Sequence, residues 1–185
     1  MKRLFYTFLL TALAVVIVIL YDLPITEASI TDTASETSTL TLSEAYYTKN
    51  TYDQINMFSQ ELCNFSYRIL LADYSLKQSE TKYLELCYEF IEYANLKLKS
   101  LNDYSATITV TSSDKYLINE LLSYLNDSII AYSDTLAALE DYHFKSNIYS
   151  NVIHNHTLAS KRAYDVWSVS LEHSYLLDQA IRSQF

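Results

Sequence analysis

Residues 55–76 read INMFSQELCNFSYRILLADYSL, and in this stretch Ile55, Phe58, Leu62, Phe65, Ile69, Ala72 and Leu76 recur at alternating intervals of three and four. Such spacing places all seven on one stripe of an α-helix, the seam by which helices pair in bundles and coiled coils. Just upstream, Thr41-Leu-Ser-Glu44 has the form of a capping box, in which hydroxyl and carboxylate satisfy each other's free backbone amides, so the helix is expected to start there.

Working downstream, a polar break at Ser75-Leu-Lys-Gln-Ser-Glu80 precedes a second seam, Tyr83, Cys87, Phe90, Ala94, Leu98 and Leu101. The two helices should form a hairpin. Residues 105–111, Ser-Ala-Thr-Ile-Thr-Val-Thr, alternate β-branched side chains and predict an extended connector or a lone strand. A third helix is predicted from Ser112 or Ser113 to about His143, with Leu117, Leu121, Leu125, Ile129, Tyr132, Leu136 and Leu139 on its apolar face and Asp114 in its first turn. A fourth, from about Ser146 to Ser183, carries Ile148, Val152, Ala159, Ala163, Val166, Leu177 and Ala180 on one stripe. Beside it runs another, Tyr149, Ile153, Tyr164, Trp167, Leu171 and Tyr175, so its apolar arc is wide. The fold expected over residues 44–185 is therefore an all-α, antiparallel up-down four-helix bundle.

Upstream of the bundle the composition changes twice. Lys2 and Arg3 precede an apolar run at residues 4–21, about 27 Å as a helix, close to the thickness of a hydrocarbon core. The expectation is a membrane segment with its amino terminus in the cytoplasm and the bulk of the chain extracytoplasmic. Thr26-Glu27-Ala28 places small residues three and one before Ser29, so cleavage after Ala28 and secretion is the competing reading of residues 1–28. Residues 29–43 hold nine serines and threonines in fifteen positions and read as a solvated linker.

Among 185 residues there is no glycine, where average usage of roughly 7% would give about 13. P-loops, dinucleotide-binding turns and nucleophile elbows all require glycine, so these chemistries are excluded. The net charge of -9 argues against nucleic acid as a partner.

Few residues point to chemistry. Glu140-Asp-Tyr-His143 has the Glu-x-x-His spacing of di-iron bundles, but no second such pair precedes His154, His156 or His173. His156 and His173 fall near the fourth seam, and one or both read as core histidines satisfied by hydroxyls or tyrosines. Glu85, Glu89 and Glu92 read as a solvated acidic face. No catalytic residue, metal site or cofactor is expected.

Cys63 and Cys87 flank residue 75 symmetrically, and a hairpin turning there would bring them opposite for a disulfide in an oxidising compartment. Asn64, Asn126 and Asn155 stand in glycosylation sequons. Tyrosine is over-used, at 18 residues, and rings at a surface favour recognition. Tyr164, Trp167, Leu171 and Tyr175 are the expected binding surface, and the expected partner is another protein or a second copy of the chain.

Overall fold

A computed structural model describes residues 41–145 and 148–184, and these form four helices with no strand among them. Helix α1 is Leu42–Leu76, α2 Lys82–Thr107, α3 Ser112–Lys145 and α4 Ser150–Arg182. The expected membrane segment and most of the linker lie outside the described residues; Thr41, Leu42 and Ser43, read as the linker's end, already cap and open α1. Among the described residues no helix is long and apolar enough to cross a membrane.

The capping box forms as the sequence predicts. The Glu44 amide donates to Thr41 Oγ1 at 3.3 Å, and the Thr41 amide donates to Glu44 Oε2 at 2.9 Å. Those bonds hold the Glu44 carboxyl below its ordinary pKa. Without glycine, α1 ends on hydroxyl chemistry: Ser75 Oγ donates to the carbonyls of Ala72 and Glu80, and Ser79 takes the left-handed conformation at φ 61° that glycine would otherwise supply. At the start of α3, Thr111 Oγ1 accepts from the Asp114 amide at 3.1 Å. Asp114 in turn accepts from the buried Tyr52 hydroxyl of α1 at 3.0 Å.

Contacts between helices set the topology. Asn50 near the start of α1 meets Tyr104 near the end of α2, Tyr88 early in α2 meets Glu140 late in α3, and Asp127 of α3 pairs with Arg162 of α4. Between α1 and α4, Asn56 bonds the Trp167 carbonyl whereas Tyr149 bonds Asp73. Neighbours therefore run antiparallel, and α1 runs parallel to α3 across the centre, where Tyr132 donates to the Leu62 carbonyl at 3.0 Å. α4 and α2 flank this central pair on opposite sides and do not touch each other.

The α1 seam is buried along its full predicted length, from Ile55 to Leu76. On α2 the buried set is Leu84, Cys87, Ile91, Ala94, Leu98 and Leu101, again at intervals of three and four. Tyr83 is exposed and Phe90 half-buried, because the heptad starts one residue later than the aromatics suggested. Phe90 nevertheless stacks on Phe65 at 4.3 Å, and Tyr132 meets Phe65 edge-on at 5.2 Å. α4 presents small residues inward, Ala159, Ala163, Val166, Ser170 and Ser174, while Ile148 lies outside the helix and is exposed.

Two expectations are corrected. The segment expected as extended from Ser105 is helical through Thr107, with the Ser105 and Thr107 hydroxyls donating to the carbonyls of Asn102 and Tyr104; only residues 108–111 connect α2 to α3. Backbone-bonding hydroxyls let this β-branched stretch finish the helix. The disulfide is not formed, and Cys63 and Cys87 are free. The turn spans residues 77–81 and is centred beyond residue 75, so Cys87 lines one groove with Arg68. That is five positions past Cys63, or about 7.5 Å along the helix, further than bridge geometry reaches without backbone movement.

Candidate interaction surface

α4 turns its small residues inward, so its large ones must face out. At 100° per residue Tyr164, Leu171 and Tyr175 fall within about 40° of one another. They are 57%, 47% and 60% exposed, comparable to large side chains on other helices such as Tyr67 and Tyr74 of α1. Trp167 lies at the edge of this stripe, half-buried toward α1, with its ring 5.4 Å from that of Tyr164. Its carbonyl accepts from Asn56 Nδ2 at 2.9 Å, and Gln179 Nε2 donates to the Tyr175 hydroxyl at 2.6 Å. The four predicted binding residues thus share one side of one helix. Ile153 and Leu158 are exposed on the same helix. This arrangement offers area, aromatic faces and hydroxyl tips, which suits recognition of another macromolecule.

Elsewhere two clusters of polar side chains join the helices. Asp73, almost fully buried, accepts from Lys77 Nζ at 2.8 Å, His143 Nε2 at 3.0 Å and the Tyr149 hydroxyl at 3.2 Å. Burial pushes its pKa up, but the bonds from Lys77, His143 and Tyr149 outweigh that and hold it below the usual carboxylate range. This cluster ties α1, α3 and α4 at one end of the bundle. Glu140 turns instead to Tyr88, at 3.1 Å, so Glu140 and His143 address different partners. Among the described residues no group of three or more His, Cys, Asp or Glu side chains is placed to hold a metal ion.

A second polar cluster sits between α1, α3 and α4. His156 Nε2 lies 2.8 Å from Ser66 Oγ and 3.4 Å from the Ser66 carbonyl, Ser160 Oγ donates to Ser66 Oγ at 3.3 Å, and Ser160 also lies 3.3 Å from the Tyr132 hydroxyl. A serine beside a histidine resembles a nucleophile with its base. The second contact is a hydrogen bond only in the tautomer that carries the proton on Nε2, in which Nε2 cannot take one from Ser66. Burial also lowers the His156 pKa. The cluster is a half-buried polar patch between helices, with His156 bonded to a serine hydroxyl. His173 likewise stacks on Tyr52 with ring centroids 5.2 Å apart. His154 is exposed.

The sequon residues Asn64 and Asn126 are exposed and Asn155 is half-buried, all within helices. The hydroxyl two residues after Asn126 is committed to the core, since Ser128 Oγ donates to the Ala159 carbonyl at 2.8 Å. Sequence reasoning missed these hydroxyl contacts, because partners 28 to 94 positions apart leave no local pattern. The chain matches no protein-family model, no curated protein and no solved structure.

Proposed function

We propose that this chain is a non-enzymatic interaction module: a helical bundle held on the extracytoplasmic side of a membrane by residues 4–21, which recognises a protein through Tyr164, Trp167, Leu171 and Tyr175 of α4. The observation that carries the reading is the exposure of three large apolar side chains in register on one helix whose other side is packed with small residues. Two phenol rings and a leucine held outward keep water-exposed apolar area that association would bury. Burial of a contact surface of this kind concentrates binding energy in a few aromatic anchors.

The test is co-purification of full-length protein from membranes after crosslinking, comparing wild type with Tyr164→Ala and Trp167→Ala. Loss of a specific crosslinked species with unchanged helicity is the expected result; an unchanged crosslink pattern in both variants refutes the surface. A second reading, a secreted binder, draws on the small residues at Thr26 and Ala28. Mass spectrometry of the amino terminus separates the two: an intact start in the membrane fraction supports the tether, and a start at Ser29 in the soluble fraction supports secretion.

A further inference from the structure

The centre line of α4's outer surface is polar and carries opposite charges. His154, Lys161, Ser168, Glu172 and Gln179 are all exposed along it. Among the described residues Lys161 and Glu172 form no ion pair, Lys161 interacting only electrostatically with Asp165 one turn along, whereas the neighbouring Arg162 pairs with Asp127 and Arg182 with Asp178. The two stand eleven positions apart, three turns, so they project within about 20° of one another. On one side of this line runs the row of Tyr164, Leu171 and Tyr175; on the other lie Leu158 and Leu176, also exposed.

From this pattern we infer that the partner of α4 is a second copy of α4, packed antiparallel about a two-fold axis, with Lys161 of each copy against Glu172 of the other. The inference rests on the reading of α4 as the contact surface and names what covers it. In an isologous pairing each contact occurs twice, and rows on the same side of the axis meet each other. The register that brings Lys161 to Glu172 of the second copy also sets Leu158 opposite Leu176, Tyr164 opposite Leu171, and Thr157 opposite Tyr175. Ser168 then stands where it can donate to the Asp165 carboxylate of the second copy. One shift therefore satisfies the charges and both apolar rows together. A parallel pairing does the reverse, setting Lys161 against Lys161 and Glu172 against Glu172.

The test uses full-length protein in detergent, with Cys63→Ser and Cys87→Ser as background. Chains carrying Lys161→Cys are mixed with chains carrying Glu172→Cys and oxidised. The expected result is a disulfide-linked dimer from the mixture and none from either variant alone, since like positions lie about 16 Å apart along the pair. Independently, Lys161→Glu should weaken self-association about tenfold or more by setting two pairs of like charges together, and adding Glu172→Lys should restore it. Both sites are exposed, so the bundle keeps its fold. Self-linking of Lys161→Cys alone, or a wild-type chain that stays monomeric throughout, overturns the inference. If the chain is monomeric yet the Tyr164 and Trp167 variants still lose a different crosslinked protein, the second copy is refuted while the α4 surface stands.

Discussion

Replacing Asp73 by alanine removes the one acceptor shared by three helices, and its cost can be worked from the contacts. His143 and Tyr149 are half-buried donors, bonded at 3.0 and 3.2 Å, and each loses its partner. Bonds to a charged group contribute about 1.5–3 kcal/mol each, and orphaning a buried donor adds its desolvation penalty. Lys77 is half-exposed, so its ion pair adds little. Two such bonds sum to about 3–6 kcal/mol, and relief of Asp73's own burial offsets the orphaning, so a net loss of at least about 3 kcal/mol follows, which for a domain of this size lowers Tm by roughly 6–12 °C or more. The same carboxyl makes the loss pH-dependent. Its folded pKa is depressed, so its contribution is present above the unfolded value near 3.9 and disappears as pH falls through the folded pKa. Thermal melts of wild type, Asp73→Ala and Asp73→Asn followed by far-UV circular dichroism, from about pH 7 down to about pH 2, check both parts. Wild type should lose its advantage over Asp73→Asn in the acid limb. Asp73→Ala melting within about 1 °C of wild type, or a gap to Asp73→Asn that does not narrow in acid, refutes the reasoning.

Two further predictions concern buried groups. Burial pushes the Cys87 thiol up to about 11, only partly offset by Arg68, and raises the Cys63 thiol as well. Alkylation near pH 8 should therefore be slow for both until the chain is denatured, whereupon two thiols react; no free thiol in denatured, unreduced protein contradicts this. His156 is half-buried among Ser66, Ser160 and Tyr132, and this partial burial lowers its pKa. The unfolded chain then binds more protons than the folded one between the folded pKa and about 6.5, so stability falls as pH drops through that window and levels off below it. His156→Gln should flatten this part of a pH series of urea melts, and an unaltered slope counts against the assignment.

How much was legible in the sequence depends on the range of the interaction. The capping box at Thr41 and Glu44 and the seam from Ile55 to Leu76 are local patterns, and both appear as read. The α2 seam was half legible: its aromatics drew the stripe one residue off, whereas the aliphatic and small residues from Leu84 to Leu101 carry it. Serine and threonine misled most. Thr48, Thr51, Ser59, Thr135 and Ser170 are buried, each hydroxyl bonded to a carbonyl three or four residues earlier in its own helix, so a polar letter did not mark an exposed position. The cysteine pair failed for a geometric reason, since spacing about residue 75 fixes opposition only if the turn is centred there. The stripe of Tyr164, Leu171 and Tyr175 was readable as a second apolar face, and the structure places it outward; Lys161 and Glu172 gained meaning only once α4's inward side was known.

Since α2 shares no surface with α4, the bundle is a three-helix unit, α1, α3 and α4, with a fourth and shortest helix laid along its groove. Detachment of α2 breaks the Phe65–Phe90 stack and the Lys97–Glu61 ion pair but none of the contacts of Asp73, His156 or Ser128. Stability is then divided unequally along the chain, and the cheapest excursion from the native state is a hinged opening at residues 77–81 and 108–111. Native-state hydrogen exchange would register it as a separate cooperative unit, with the amides of 82–107 exchanging together and ahead of those in α1, while a protein partner held on α4 would leave that excursion free to occur.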